Sequence, residues 1–497
     1  MSLLGVDIGT TGCKAAAFSA DGVCVAQAYR EYAIHHPSPG WAELDSRAVW
    51  RNIRDVLREV GAGTRHDPIT ALCASSLAEA GVLVTHARDI LGNSILFSAT
   101  RGGEYIEALL RTFSREAFYD INRNLPGPHY SLPKLLWLRE HQPAVYRQAD
   151  RFLLWADALG FFLGGEPTAC HSLASRTLLF DLRREDWSEE LLAWSGIERG
   201  KLGRIVPAGT VTGTVADAVA AELGLPTGIQ IVAGGHDQCC NALGAGIITP
   251  GRAVCGLGTF ECITPVYRGI PDARGLLANG LNLEHHLLPG LYVSFLYNQA
   301  GTLVRWFRDT FARGEQVPAR ADVYDRLAAE MPAEPTRLLV LPYFEPSGPP
   351  GFVSDAAGAV LGLRTTTTRG EILKAIMECV TLYFADSLAS LRDLGIDTGE
   401  FVATGGGAKS DAWLQIQADI FGVPIIRPRI TEASVLGAAL LAGLATGVFA
   451  DAAEGVGRFV KPDRVFTPDP RRHAIYRAKL AHYRQLLPAL HPLLRRL

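Results

Sequence analysis

Gly5-Val6-Asp7-Ile8-Gly9-Thr10-Thr11-Gly12-Cys13-Lys14 decides the fold, because half a chain later Gly256-Leu257-Gly258-Thr259-Phe260-Glu261 uses a closely similar turn. In the first copy the apolar runs 3–6 and 15–18 have strand length and flank a bend of Gly and Thr, so the segment reads as a hairpin with Asp7 at its lip. Gly9 lets the backbone approach an anion without a Cβ in the way, successive N–H groups face it, Thr10 and Thr11 add hydroxyl donors, and Lys14 adds positive charge. Asp7 suits a hydrated Mg²⁺ better than direct contact with phosphate, since two anions repel without a cation between them. Read alone, such a bend is equally an ordinary tight hairpin. The second copy, entered through Ala253-Val254-Cys255 and left through Cys262-Ile263, argues for a nucleotide held between two related lobes.

At 497 residues and 48% hydrophobic content the chain can bury two to three cores, and the repeated turn favours two large ones. A formal charge of -3 leaves no broad basic field for nucleic acid or anionic lipid, so neither is expected as a partner. Nine cysteines without dense spacing suit free thiols in a reducing compartment. His236, Cys239, Cys240, Cys255 and Cys262 are set aside as metal ligands, because no paired C-x-x-C spacing appears and neighbouring cysteines in an apolar stretch usually just pack. No basic leader precedes Asp7, and the apolar run 435–450 is shorter than the roughly 18 residues of a membrane helix. A cytoplasmic protein is expected.

Along the chain, three antiparallel strands are expected within residues 1–25, a helix over 46–60, and strands over 69–75 and 81–85. Residues 104–202 read as mostly helical, with Ser131 as a helix cap. A strand over 230–233 runs into Gly234-Gly235-His236-Asp237-Gln238, which puts Asp237 at the mouth of a sheet, where open α/β folds bind ligands. The lobe boundary falls in 246–251, giving units 1–245 and 246–497. In the second unit Val402-Ala403-Thr404-Gly405-Gly406-Gly407-Ala408-Lys409-Ser410 reads as strand, glycine loop and helix, with Ser410 as N-cap and Gly422 as stop. Bare backbone at Gly405 and Gly406 admits a flat adenine or ribose, although a plain strand-to-helix corner has the same composition.

In this order the pieces resemble the FGGY family of carbohydrate kinases, over nearly the whole length. Two further segments carry the resemblance: Ser131 through His141 around Lys134 and Trp137, with His129 as a departure at its opening position, and Gly358-Ala359-Val360-Leu361-Gly362-Leu363 followed by Glu371-Ile372-Leu373-Lys374-Ala375-Ile376-Met377-Glu378. The resemblance implies an α/β fold of two ribonuclease H-like (actin-like ATPase) lobes, each a mixed five-stranded sheet flanked by helices, closing on ATP and sugar in a cleft. It implies Asp237 as catalytic base and, with Asp7, as a holder of Mg²⁺ through water. Gly9, Thr10, Thr11, Lys14, Gly258 and Thr259 are implied around the phosphates, and Gly301, Arg305, Gly405, Gly406 and Ser410 at the nucleotide; Arg305 reads equally as a surface helix residue.

Departures cluster where the family binds its substrate. Leu77-Ala78-Glu79 stands where glycerol kinases carry an Arg-Glu pair and xylulokinases a Met-His pair, so Glu79 remains and the Arg fork is missing. His236 replaces a small residue, His129 an aromatic hydroxyl, Ala99 an Asp and Cys170 another. Glu79, His129, His236, Gln238 and Trp41 are assigned to the sugar, with two alternatives kept open: His236 satisfied by backbone, and Trp41 pinning its loop. The resulting expectation is ATP- and Mg²⁺-dependent phosphorylation of a terminal hydroxyl on a small sugar, a ketopentose such as xylulose, by a protein that is monomeric or a homodimer. Kinases of polyols or other ketoses are the alternative, and from another class an actin-like nucleotide switch or sugar-sensing regulator.

Overall fold

The apolar runs at the start of the chain form antiparallel strands Ser2–Ile8 and Gly12–Ser19, and a third strand, Cys24–Glu31, lies mostly beyond the residue 25 at which it was expected to end. The computed structural model describes every residue except 316–321, 345–346, 348–349, 352, 354 and 497. Ile69–Ser76 lies parallel beside Ser2–Ile8, and Gln230–His236 lies parallel beyond it. In the second half, Arg252–Leu257 and Phe260–Arg268 form a hairpin, with Leu296–Gln299 continuing outward. Glu400–Thr404 and Ile425–Pro428 add in parallel on the other side. The two sheets therefore share one five-strand plan, in which the first strand is central and the fourth and fifth return parallel to it.

The expectation of five strands per sheet falls short of both. Val211–Thr214 extends the first sheet antiparallel to Gln230–His236, and Pro462–Phe466 extends the second antiparallel to Ile425–Pro428. Leu291–Val293 and Glu284–His285 lengthen the second sheet at its opposite edge. Each addition covers backbone groups that an open edge would leave unpaired.

Helices Asp237–Gly244 and Ala433–Ala445 follow the fifth strands of the two sheets and pack against each other where the lobes meet. Their backbones approach so closely that a Cβ on Gly437 would sit 2.0 Å from the Cys240 carbonyl oxygen, and one on Gly244 1.9 Å from that of Ala433. Glycine is the residue that permits this crossing. The second helix also packs on strands Ser2–Ile8 and Ile69–Ser76 of the first sheet. Buried on nearly every side, it has no polar face, which explains the apolar run at 435–450 without a membrane. No helix among the described residues is long and apolar enough to cross a bilayer.

The helix expected at 46–60 runs Ser46–Gly63, capped by the Asp45 carboxylate on the backbone N–H groups of Arg47 and Ala48. Between 104 and 202 the helices expected are present, interrupted by short strands such as Arg151–Leu154 and Thr168–Cys170. Ser131 is the first helical residue rather than the cap; Tyr130 holds the cap position, and the Ser131 hydroxyl donates to the Glu79 carbonyl at 2.7 Å. That bond ties the helix Ser131–His141 to the strand end that carries Glu79.

Candidate active site

A cavity of about 490 Å³ opens between the sheets, lined from the first half by Asp7, Thr10, Lys14, Glu79, His129, Arg176, His236, Asp237 and Gln238. The second half contributes Gly256, Gly258, Thr259, Asn282, Tyr297, Gly405 and the segment 431–435. Both expected turns are present and similarly closed, by Gly9 N–H to the Gly12 carbonyl and Gly258 N–H to the Phe260 carbonyl, each at 2.9 Å. Asp7 and Lys14 are register partners across the first hairpin.

Asp237 is the first residue of its helix, and it lines the cavity with 29% of its side chain exposed. His236 Nε2 lies 3.1 Å from Asp237 Oδ1, and His236 Nδ1 lies 3.7 Å from Glu284 Oε2. Burial pulls the imidazole pKa down, but Asp237, then Cys239 and Glu284, outweigh it and hold the ring well above the ordinary value. The ring lies between two carboxylates, and its shorter contact orients Asp237. The side chain of His236 therefore meets carboxylates rather than backbone; its own N–H is what backbone contact it makes, donating to Ser172 Oγ at 3.1 Å.

Asp7 accepts from the Ser75 hydroxyl at 2.7 Å. Burial, then the Asp237 charge, pushes Asp7 up to about 7, against the pull of Ser75 and Lys14. Two carboxylates that repel each other in one cavity are a donor set suited to a hard divalent cation, so these residues fit Mg²⁺ held through water.

One wall of the cavity is built around a residue that sequence reasoning missed. Glu79 sits at a left-handed backbone position, φ 61°, in the tight turn after strand Ile69–Ser76, where Leu77 N–H is held by the Ile8 carbonyl at 2.8 Å. That turn aims its carboxylate at Arg176, which reaches Glu79 through Nε at 2.8 Å and through Nη2, and reaches Glu284 through Nη1 at 2.8 Å. The missing Arg beside Glu79 is thus replaced by one 97 residues further along the chain. Asn282 Nδ2 donates to the same Glu284 oxygen at 3.1 Å. His129 lines the cavity, and burial, then Arg176 and Lys134, drive its pKa well below the ordinary range, so it is a neutral ring there.

Several expected residues stand outside the cavity wall. Trp41 lies under Arg101, whose guanidinium carbon is 4.1 Å from its ring, and edge-on to Trp137 at 5.2 Å. Arg101 in turn pairs with the buried Glu43. This packing pins the loop, and Trp41 is not among the residues that line the cavity. Gly301 fits beneath the second turn, its N–H on the Gly258 carbonyl at 3.2 Å, and Arg305 Nη2 donates to Thr259 Oγ1 at 3.3 Å. These two support the turn from behind, as Gly9 and Thr11 form the backbone of the first. Gly405 adopts φ 80° and ψ -179°, a region essentially reserved for glycine, and a Cβ there would meet the Leu257 carbonyl oxygen at 2.7 Å. Gly406 has open space around it, whereas the Ser410 hydroxyl accepts from Trp413 N–H at 3.3 Å as a helix cap.

Glu261, just past the second turn, is fully buried and accepts from Cys255 Sγ at 3.1 Å and Gln417 Nε2 at 2.8 Å. Burial pushes it up to about 8 from 4.5, against the pull of these donors. Between those values the folded chain keeps a proton that the unfolded chain releases, so stability falls as pH rises from about 4.5 to 8 and then levels. Glu261→Gln removes this term. The melting temperature of the variant relative to wild type is expected to rise between pH 5.5 and 8.5, and parallel pH curves would count against a protonated Glu261.

The duplicated sheets, the cleft between them and the paired turns define a two-lobed phosphoryl-transfer enzyme. Comparison with known proteins makes this specific: residues 2–244 match the N-terminal domain, and residues 274–446 the C-terminal domain, of the FGGY family of carbohydrate kinases, and the chain belongs to that family. It is similar to the xylulose kinase of Bacillus subtilis, 27% identical with 97% of this chain and 96% of the relative covered. It is 31% identical to the glycerol kinase of Bordetella parapertussis, covering 94% and 92%. The crystal structure of xylulose kinase from Rhodospirillum rubrum superposes with a TM-score of 0.88 at 30% identity, over 99% of this chain and all of that one. The protein is a carbohydrate kinase acting on a small molecule, and use of ATP goes with the family.

Proposed function

We propose that the enzyme transfers the γ-phosphoryl group of ATP, with Mg²⁺, to a terminal hydroxyl of a ketopentose such as xylulose. The observation that carries this reading is Asp237, held by His236 in a cavity that both turns and the Glu79–Arg176–Glu284 group also line. Asp237 takes the hydroxyl proton as that oxygen meets phosphorus. A carboxylate suffices because the transition state is loose and positioning matters more than base strength. Glu79, Arg176, His129 and Gln238 face the other hydroxyls; Thr10, Lys14 and Thr259 face the phosphates; Asp7 and Asp237 hold the cation, which supplies charge neutralisation at the transferring group.

The full-length likeness to xylulose kinases supports a ketopentose. A polyol is the second reading, favoured by one observation: Arg176 restores beside Glu79 the donor fork that sequence alone lacked. Incubation with ATP, Mg²⁺ and a panel of ketoses and polyols, read by mass for the phosphorylated product, separates them. Ketopentose phosphate as the leading product is expected. A polyol phosphate selects the second reading, and ADP release that no sugar stimulates would favour a nucleotide switch.

A further inference from the structure

Behind the sugar pocket, three potential ligands from distant parts of the chain converge. His171 opens the helix His171–Ser175, Glu185 lies in the turn joining strands Phe180–Asp181 and Asp186–Trp187, and His285 closes strand Glu284–His285. One ligand atom from each lies within 4.8 Å of the other two. Both rings are buried, with centroids 4.9 Å apart. Among the described residues the His171 ring has aromatic neighbours, Phe180 and His285, and no hydrogen bond. His285 Nε2 has only a long contact, 3.4 Å, to the Leu182 carbonyl and lies 3.8 Å from Glu185 Oε1. The His171 ring borders a cavity that Glu185 also lines, so a small ion can reach the cluster.

We propose that His171, Glu185 and His285 form a binding site for a transition-metal ion of the Zn²⁺ class, distinct from the Mg²⁺ position beside Asp7. Two imidazole nitrogens and one carboxylate are a donor set for zinc, cobalt or nickel rather than for magnesium, which prefers oxygen alone. Ligand bonds of about 2.0–2.2 Å place tetrahedral donors about 3.4 Å apart, so the present spacing must contract on binding. Glu185, with 52% of its side chain exposed, has the room to move inward. His171 and Glu185 help line a cavity of about 850 Å³ together with Arg184, Arg199 and Arg204, so water or a small anion fits the fourth position.

The site has a structural consequence for the sugar pocket. His285 is adjacent to Glu284, which binds Arg176, and His171 is adjacent to Ser172, whose hydroxyl accepts from His236 N–H. A bound ion ties the 181–186 turn to the strand carrying Glu284 and braces the pocket from behind.

The test uses full-length enzyme stripped with a chelator, in a Cys24→Ser background that removes the exposed thiol, titrated with Zn²⁺ by calorimetry and with Co²⁺ by visible absorption. One saturable Zn²⁺ site is expected, with Co²⁺ giving ligand-field bands of nitrogen and oxygen donors without thiolate charge transfer. Glu185→Gln, a substitution at an exposed position, is expected to weaken binding at least about tenfold. His171→Ala is expected to abolish it. Absence of a saturable site in the parent, or unchanged affinity in both variants, would overturn the proposal. Sugar kinase activity in Mg²⁺ alone is a separate readout, so failure here leaves the proposed reaction standing.

Discussion

Asp237→Asn is expected to lower kcat for sugar phosphorylation by about 10²–10⁴-fold, the range by which a positioned base contributes. The amide keeps the size and much of the polarity of the side chain but cannot accept the proton. Because Asp237 borders the cavity with 29% of its side chain exposed, the variant should fold as wild type does. ATP affinity should hold, since the two Gly-Thr turns and Gly405 are untouched. Single-turnover kinetics with a separate nucleotide-binding measurement check both halves of this expectation; wild-type turnover in the variant would remove Asp237 as the base.

The second large effect concerns Arg176. Its guanidinium neutralises Glu79 and Glu284, which are 6% and 0% exposed, so Arg176→Ala leaves two buried carboxylates facing each other. Breaking a buried ionic group from one side costs about 3–5 kcal/mol, and the melting temperature should fall accordingly. Substrate recognition should fall as well, because hydrogen bonds from a charged donor contribute about 1.5–3 kcal/mol, or roughly 10- to 100-fold in the KM for sugar. The triple variant Arg176→Ala, Glu79→Gln, Glu284→Gln distinguishes these effects. Removing the two charges should restore much of the stability while the KM for sugar stays raised and ATP binding is unchanged. A wild-type KM in the triple variant would make Arg176 a purely structural residue.

These two residues also mark how far the amino-acid sequence could be read. Asp237 was legible because its signal is local: a strand, two glycines and an acid before a helix. The paired turns were legible for the same reason, and with them the two-lobed plan. Arg176 carried no such signal, since its pairing with Glu79 depends on how a helical region folds back across 97 residues, and it lies in no pattern of its own. The edge strand Val211–Thr214 is four residues with a central glycine, and the strands Phe180–Asp181 and Asp186–Trp187 are two residues each, too short to show a period. For Trp41 the sequence left a sugar-facing ring and a loop pin equally open; the ring packs on Arg101, which pairs with buried Glu43, a contact between residues 58 positions apart that no local pattern shows. Ser131 was misread as a cap because its hydroxyl has a better partner in the Glu79 carbonyl, 52 residues away.

The division into units 1–245 and 246–497 that we propose follows the chain rather than the packing. The helix Ala433–Ala445 belongs to the second unit and covers the first sheet.

The central claim is that nucleotide held by both turns meets a sugar hydroxyl at Asp237. A crystal structure with a non-hydrolysable ATP analogue, Mg²⁺ and the sugar identified by the panel tests it most directly. The terminal phosphate is expected between Gly9–Thr11 and Gly258–Thr259, with a sugar hydroxyl about 3 Å from an Asp237 oxygen. A sugar bound with Asp237 out of reach of every hydroxyl, or a nucleotide contacting one lobe alone, would contradict it.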